Sequence, residues 1–288
     1  MRVIAILASY NESLLISACL EHYLKNDVEV YLIDNESTDD TVDIARKYLN
    51  HGLIGIETLK RKDYSDLRAR LMRKEQLAHE LKADWFIHAD IDEIRIPPNS
   101  GVTLSEALEE VDQKGYNAVN FFEYTFVPTL ENPNHEHPNF QKTMKWYYPF
   151  CPDYPHRLNA WKRLKTPFSI KRFVYSFAKS GKLSVWKAQT MQVRLTIGGH
   201  RVKFNGIRMY PIDFKMKHYI CLSREHAIRV YCNKKFDPSA VKNGWHGWRA
   251  NAKEHNIALP AQNQLRYYVS DDELDASDPL TEHLIYKE

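Results

Sequence analysis

Apolar runs of strand length alternate with segments of helical period through the first 126 residues of this 288-residue chain. The apolar runs are RVIAILAS, VEVYLID, LIGIETL, ADWFIHAD and YNAVNFFEYTF, at residues 2–9, 28–34, 53–59, 83–90 and 116–126. The helical segments between them lie at residues 13–25, 38–50, 65–82 and 103–115. This alternation is typical of a doubly wound sheet. We therefore predict an α/β fold with a mainly parallel sheet and helices on both faces.

Ligands of such a sheet bind at the carboxyl ends of its strands. Four loops are expected there, at residues 9–12, 34–41, 61–70 and 90–98. Neither G-x-G-x-x-G nor G-x-x-x-x-G-K-[ST] occurs, which argues against a dinucleotide fingerprint or a P-loop. Asp34 could accept a hydrogen bond from a base or a ribose hydroxyl. The acids that follow it argue against a pyrophosphate resting on the next helix.

Three acids in four positions follow the fourth apolar run, in the stretch HADIDEIRIPP. Asp90 and Asp92 flank one isoleucine, and Glu93 comes next. A hard divalent ion takes a few carboxylate oxygens together with phosphate oxygens and water, so this pair suits Mg²⁺ or Mn²⁺ on a diphosphate. The alternative is a solvated turn. The apolar strand that runs into the acids favours a site, because such a strand end is a poor place to put carboxylates for stability.

Charge is distributed very unevenly along the chain. Residues 141–250 carry a net charge of +19, whereas the rest of the chain carries −16. The same segment, here called the basic segment, holds 19 of the 35 aromatic residues. Such a segment favours a polyanion or an anionic membrane face as partner. The alternative is a basic surface without a partner.

Other features of composition narrow the class of protein. Mean hydropathy is −0.54, and no apolar run approaches the roughly 18–20 residues of a membrane span. The four cysteines have no C-x-x-C spacing, which fits neither a zinc site nor a disulfide framework. We expect a cytoplasmic protein with reduced thiols.

Four motifs in order and spacing resemble the nucleotide-binding GT-A half of family 2-like glycosyltransferases. They are ASYNE, IDNESTDDT, DLRARLMRK and FIHADIDE, all within residues 1–126. GGHR, KHYICLSREHA and GWHGWR resemble a bacterial subgroup that builds surface glycans such as lipopolysaccharide or capsule. The resemblance implies a nucleotide-sugar-binding half at 1–126, an acceptor-binding and catalytic half at 127–267 in the same compact unit, and an acidic tail at 268–288, which we expect to be peripheral.

The resemblance also implies roles for particular residues. Asp90 and Asp92 would hold Mn²⁺ or Mg²⁺ and the donor diphosphate, with His218 in MKHYI completing the metal ligands. The remaining donor-binding residues would be Ser9, Tyr10, Asn11, Glu12, Asp34, Asn35, Arg68, Arg70 and Ile91. A structural or solvated histidine is the alternative for His218.

The catalytic base is not marked by a family motif, because the chain has DNES where many members have D-D-G-S and lacks their E-D pair. An inverting transfer needs a carboxylate or histidine near the acceptor hydroxyl. Glu123, near the end of the fifth apolar run, is our first candidate, and Asp153 in the basic segment is the second. The alternative for Glu123 is an ion pair with an arginine of the basic segment.

The basic segment suits an anionic or lipid-linked glycan acceptor, because aromatic faces stack on sugars and cations pair with phosphates or carboxylates. The candidate acceptor-binding residues are His200, Arg201, Trp245, His246 and Arg249. The tryptophans could equally pack in the core. We therefore expect a metal-dependent, inverting glycosyltransferase using a nucleotide-sugar donor, UDP-sugars favoured, at the inner face of the plasma membrane.

Two other functions stay open at the level of sequence. A nucleotidyltransferase of sugar phosphates shares the metal and diphosphate chemistry, but ASYNES lacks the glycine-rich basic loop of those enzymes. A non-enzymatic polyanion- or nucleic-acid-binding protein would use the basic segment, but leaves the acidic strand ends unexplained. We expect no nucleic-acid partner.

Overall fold

The computed structural model of the chain describes residues 1–164, 193–232, 235–237, 241–242, 249 and 251–287. The strands are β1 Val3–Ser9, β2 Val28–Asp34, β3 Leu53–Thr58, β4 Trp85–His88, β5 Glu93–Ile96, β6 Ala118–Phe126, β7 Trp146–Phe150, β8 Arg157–Lys162, β9 Arg194–Thr196, β10 Arg201–Lys203, β11 Phe214–Tyr219 and β12 Arg266–Tyr267. The helices are α1 Ile16–Lys25, α2 Thr41–Arg46, α3 Leu67–Glu80, α4 Leu104–Gln113, α5 Phe140–Thr143 and α6 Arg224–Ala227, the last continuing as a π-helical turn at Ile228–Cys232.

The predicted α/β architecture is confirmed. β1 lies between β2 and β4, and all three run parallel, as does β3 beyond β2. Successive residues of β1 contribute to opposite faces, because side chains alternate along a strand. Leu7 packs with residues of α1 and α4, whereas Ile6 packs with residues of α3. The carboxyl ends of β1, β2 and β4 therefore share one edge of the sheet.

The second half of the chain enters the same sheet. β8 lies antiparallel between β4 and β6, so β6 runs in the direction of β4. β11 then pairs in parallel with β6 and antiparallel with β5. This register places His218 opposite both Thr125 and Glu93. Two halves that are distant in sequence thus meet at the edge where β4 ends.

The helix predicted from residue 38 begins later, at Thr41. The amide of Thr38 donates to Asn11 Oδ1 at 2.8 Å, and Asp39 accepts from the amides of Ser13 and Thr41. Residues 38–40 thus bind the loop after β1 instead of starting the helix. These bonds tie two of the predicted edge loops together.

The expectation of a peripheral tail after residue 268 is wrong. Ile285 is fully buried, and the amide of Leu280 donates to the carbonyl of Pro149 beside β7. Its residues Leu280, Leu284, Ile285 and Tyr286 belong to a third core cluster and Leu274 to the first, whereas most of its acidic residues are exposed.

All four cysteines are free thiols, two of them buried. Within the described ranges, no helix has the length and apolar character needed to cross a bilayer.

Candidate active site

A cleft of about 1230 Å³ opens at the carboxyl edge of the sheet. The loops after β1, β4 and β7 line it, together with the start of α3, the end of β11 and the end of the chain. The sequence predicted the first two of these loops and α3. Of the loop after β7, Asp153 was predicted as a candidate base, whereas the contribution of residues 281–287 was not predicted.

The first predicted group lies at the ends of β1 and β2. Asp34 is buried, and its carboxylate accepts from Ser9 Oγ at 3.2 Å, from the amide of Ser37 at 3.0 Å and from Ser37 Oγ at 2.6 Å. The side-chain amide of Asn35 donates through Nδ2 to the carbonyl of Leu59 at 2.9 Å. These bonds fix both side chains, and the structure brings Ser9, Asp34 and Asn35 together at the ends of β1 and β2.

Tyr10 and Glu12 line the cleft itself, whereas the described lining does not include Ser9, Asn11, Asp34 or Asn35. Asn11 has a φ of 55° and binds Thr38 across the loop. The guanidinium of Arg61 lies 3.7 Å from the centre of the Tyr10 ring and 3.5 Å from Asn35 Oδ1. No motif marked Arg61, which here covers the aromatic face of Tyr10 next to the buried Asp34.

The two arginines predicted on α3 differ in position. Arg70 lines the cleft, and its Nη2 donates to Ser65 Oγ at 3.1 Å. Its Nε is buried without a hydrogen-bond partner among the described residues. Arg68 is exposed and is not part of the described lining. Of the pair, only Arg70 is placed to meet a ligand in the cleft.

Asp90, Ile91 and Asp92 all line the cleft. The side chains of Asp90 and Asp92 are 53% and 28% exposed, and Lys74 Nζ lies 3.6 Å from Asp90 Oδ1. Below them Glu93 is buried, and its Oε2 accepts from the amide of Asp90 at 3.1 Å. Glu93 therefore holds the turn that presents the two aspartates.

Lys74 is a cation that sequence reasoning missed. It lies on α3 among the buried Leu71, Leu77 and Ala78, and its Nζ donates to the carbonyl of Ala89 at 2.8 Å. Its Nζ is also 3.0 Å from His88 Nδ1. Burial lowers the pKa of Lys74 to about 8. A lysine on the apolar stripe of a helix was the available sequence signal.

The GGHR motif packs on this same histidine. Gly199 has a φ of +98°, and a Cβ at this position would lie 2.4 Å from His88 Nε2. A glycine is therefore required both by the backbone conformation and by the space. The tight turn directs the next residue, His200, into the cleft lining.

His218 joins an exposed acid to a buried one. Its Nε2 is 3.3 Å from Asp92 Oδ2, and its Nδ1 is 2.6 Å from Glu123 Oε1. Burial disfavours the charged imidazole, but the carboxylates of Glu123 and Asp92 outweigh it and raise the pKa of His218 to about 10. A histidine held by a carboxylate on one nitrogen and facing an aspartate with the other resembles half of a metal site.

Among the described residues, no three side chains of His, Cys, Asp or Glu lie close enough together to hold a metal ion. The donor set nevertheless fits Mn²⁺ or Mg²⁺, because such ions are commonly held by one or two carboxylates together with substrate phosphates and water. Asp92 and His218 are already adjacent, and the more exposed Asp90 belongs to the same turn.

Glu123 is fully buried and is not part of the described lining of the cleft. Its carboxylate accepts from Thr125 Oγ1 at 2.9 Å and from Arg157 Nε at 2.9 Å, and it contacts His156 at 2.9 Å and His218 at 2.6 Å. Despite burial, these partners hold the pKa of Glu123 well below its ordinary value. The geometry therefore matches the ion pair that the sequence left open, made with Arg157 of the basic segment.

Asp153 lies on the loop after β7 and lines the cleft with a side chain that is 64% exposed. It forms an ion pair with Arg201, which lines the cleft as well. Of the two acids predicted as the base, Asp153 is the one that a substrate in the cleft can reach.

The predicted acceptor-binding residues His200, Arg201 and Arg249 all line the cleft. Trp245 and His246 lie outside the described residues. Burial holds the pKa values of His200 and of the unpredicted His283 well below their ordinary range, so both rings are neutral near pH 7. His156 also lines the cleft and was not predicted.

Comparison with known proteins gives a family. The sequence model described as Glycosyl transferase family 2 matches residues 4–163, which is more than half of the chain. No curated protein gives a significant match.

Several solved structures are similar at low identity. S. aureus TarS 1-349 is 14% identical, with 83% of this chain and 68% of that chain covered and a TM-score of 0.42. The same protein in complex with UDP-GlcNAc is 20% identical over 45% of this chain and 34% of that chain, with a TM-score of 0.32. Glucosyl-3-phosphoglycerate synthase from Mycobacterium tuberculosis, in complex with Mn²⁺, UDP and phosphoglyceric acid, is 17% identical over 42% of this chain and 43% of that chain, with a TM-score of 0.30. In the last two matches the chain spans less than half of the solved chain.

Proposed function

The chain belongs to glycosyl transferase family 2, and we propose that it moves a sugar from a nucleoside diphosphate, UDP-sugars favoured, to a hydroxyl of a glycan acceptor. Its α/β fold with a central, mostly parallel sheet is the GT-A fold of this family. The observation that carries the proposal is the contact of Asp92 with His218 at the edge of a cleft that Asp90, on the same turn as Asp92, also lines.

The donor nucleoside would lie where β1 and β2 end. Asp34 uses three hydrogen bonds to Ser9 and Ser37, which leaves acceptor capacity on its carboxylate for a base N–H or a ribose hydroxyl. The ring of Tyr10 provides an aromatic surface in the cleft beside it. Residues 1–126 would thus form the nucleotide-sugar half of the protein.

Mn²⁺ or Mg²⁺ would be held by Asp92, His218 and Asp90, with the diphosphate and water as further ligands. When bound, the ion would stabilise the charge of the departing diphosphate. Glu123 keeps the His218 ring in place from the opposite side, and Glu93 keeps the backbone of the Asp90 turn in place. Outer carboxylates of this kind orient metal-binding histidines.

Asp153 is the residue we propose as catalytic base. In a single displacement with inversion, its carboxylate takes the proton of the acceptor hydroxyl while that oxygen bonds to the anomeric carbon and the nucleoside diphosphate leaves. Arg201 pairs with Asp153 and would hold its carboxylate in place before the acceptor binds.

The acceptor would be an anionic or lipid-linked glycan, bound by residues 127–267. His200, Arg201 and Arg249 line the cleft, and the basic segment of which they are part carries +19. Such a charge would draw the protein to phosphate-bearing acceptors at the inner face of the plasma membrane, as in surface-glycan synthesis. The nucleotidyltransferase and polyanion-binding alternatives are set aside, because family membership accounts for the acidic turn and the cleft together.

Thermal-shift measurements test the proposal. We expect UDP-, GDP-, CDP- or dTDP-sugars to raise the melting temperature in the presence of Mn²⁺, with a UDP-sugar giving the largest shift. Asp92→Ala should abolish the part of the shift that requires Mn²⁺, whereas Glu109→Ala, an exposed carboxylate on α4, should retain it. A protein that no nucleotide stabilises, or an Asp92→Ala variant that keeps the full Mn²⁺-dependent shift, would refute the proposed mechanism.

A further inference from the structure

The end of the chain forms a fixed wall of the cleft, which we call the C-terminal wall (residues 280–287). The carbonyl of Leu280 accepts from the amide of Cys151 at 2.9 Å, and the carbonyl of Ile285 accepts from the amide of Ala258 at 3.1 Å. Ile285 itself, at the second of these attachments, is fully buried. Five residues of the wall line the cleft: Thr281, Glu282, His283, Tyr286 and Lys287.

His283 is the residue of the wall whose side chain is held on two sides. Its ring stacks on Phe150, with centres 4.0 Å apart and an angle of 17°. Its Nδ1 is 2.8 Å from the hydroxyl of Tyr148. Within the described part of the chain, its Nε2 has no hydrogen-bond partner, although the ring lines the cleft. An oriented imidazole thus presents one polar atom that other described side chains do not use.

The position of His283 relates it to the reacting end of the donor. Its ring centre is 6.4 Å from that of His218, which is 3.3 Å from Asp92. On the other side, Phe150 contacts His156, and His156 contacts His200 near the Arg201–Asp153 pair. His283 therefore stands between the residues assigned to the diphosphate and those assigned to the acceptor, where the transferred sugar would lie.

We propose that His283 is a specificity-determining residue that binds a hydroxyl of the transferred sugar through Nε2, with Tyr148 and Phe150 fixing the ring. The inference rests on the proposed function. A sugar hydroxyl both donates and accepts, so it can pair with Nε2 whichever ring nitrogen carries the proton. The bond is made to the sugar and not to the nucleotide, and this gives it a specific experimental signature.

Isothermal titration in the presence of Mn²⁺ measures that signature with UDP, UDP-glucose, UDP-galactose and UDP-N-acetylglucosamine as probes. His283→Phe retains a ring that can stack on Phe150 but removes Nε2. We expect it to raise the Kd of at least one UDP-sugar about 10-fold, the effect of one hydrogen bond, and to leave the Kd of UDP unchanged. His283→Gln, which can place an amide nitrogen near Nε2, should restore part of the affinity.

Two further variants test whether the effect depends on the orientation of the His283 ring and whether it is specific to that histidine. Tyr148→Phe leaves Nδ1 of His283 without its hydroxyl and should raise the same Kd by a smaller factor. His255→Phe, at an exposed histidine outside the cleft lining, should change neither Kd. An equal change for UDP and the UDP-sugars, or unchanged affinity for all three UDP-sugars, would overturn the role of His283 while leaving the proposed function intact. A wild-type protein that binds none of the four probes, and that GDP-, CDP- and dTDP-sugars do not stabilise either, would refute the proposed function itself.

Discussion

The carboxylates at the cleft fall into two groups that differ in burial and in partners. Asp90, Asp92 and Asp153 are 53%, 28% and 64% exposed, and among the described residues each has one cationic or imidazole partner within 4 Å. Glu93 and Glu123 are buried, Glu93 in the lining of the cleft and Glu123 behind it. Each of the two glutamates contacts more than one cationic or imidazole group.

Arg157 joins the two buried acids, at 3.3 Å from Glu93 Oε1 and 2.7 Å from Glu123 Oε2. A buried charge is tolerated only when it is paired and hydrogen-bonded, so these glutamates serve the architecture around the site. An exposed acid with a single partner keeps oxygens available for substrate or metal. The number of partners, and not the presence of an acid near a strand end, therefore separates a positioning carboxylate from a reacting one.

The largest effect on activity is expected when Asp153, the exposed carboxylate proposed as the base, is replaced. Asp153→Asn should lower kcat by about 100- to 10,000-fold, because a neutral amide cannot take the proton of the acceptor hydroxyl. The Kd of the donor should stay unchanged, since Asp153 lies on the acceptor side of the cleft. Release of UDP from the donor selected by thermal shift, with glycan acceptors or water, measures kcat.

Arg201→Gln is the matched control, because it breaks the same ion pair and keeps the carboxylate. Equal losses in the two variants would mean that the pair, and not a proton transfer, explains the effect. A folded Glu123→Gln variant with a comparable loss of kcat and unchanged donor and Mn²⁺ affinity would return the role of base to Glu123.

The second effect concerns stability and probes the buried group. Glu123→Gln removes one charge of a buried network and leaves Arg157 and His218 partly uncompensated, which should lower the free energy of unfolding by about 3–5 kcal/mol. Glu29→Gln breaks the exposed pair with Arg2 and should cost less than about 1 kcal/mol. Urea denaturation of the three proteins measures both. Similar losses for the two variants would show that burial does not separate the carboxylates as described.

The sequence was most informative where the determinants are local. Strand and helix periods in the first 126 residues predicted the parallel sheet, and the rule that strand ends share an edge predicted that Asp34 and Asp90 lie on one side of the molecule. The insertion of β8 between β4 and β6 was not predictable, because antiparallel pairing between residues 86 and 161 leaves no local pattern.

The buried half of the site was hidden for the same reason. Two of the partners of Glu123 are Arg157 and His218, 34 and 95 residues away in the chain, and no spacing rule connects them. The segment from residue 268 was mistaken for a peripheral tail because acids dominate its composition, although Ile285 near its end is fully buried.

The smallest effect is expected among the cations, where Arg157 and Arg70 differ in their partners as the acids do. Arg157 and Arg70 both line the cleft, but Arg157 is paired with two glutamates, whereas the Nε of Arg70 lacks a partner among the described residues, and burial lowers the pKa of Arg70. An anionic ligand would supply that partner, so Arg70→Gln should weaken the binding of UDP about 10- to 100-fold, the range for hydrogen bonds to charged groups. Uridine, which lacks the diphosphate, should bind the variant and the wild type alike, as isothermal titration would show.

Arg68→Gln removes an exposed arginine from the same helix and should leave both affinities unchanged. If Arg68→Gln weakened the binding of UDP as much as Arg70→Gln, the diphosphate would depend on the general charge of α3. A cation with an unused hydrogen-bond donor would then not differ from other cations in binding the ligand.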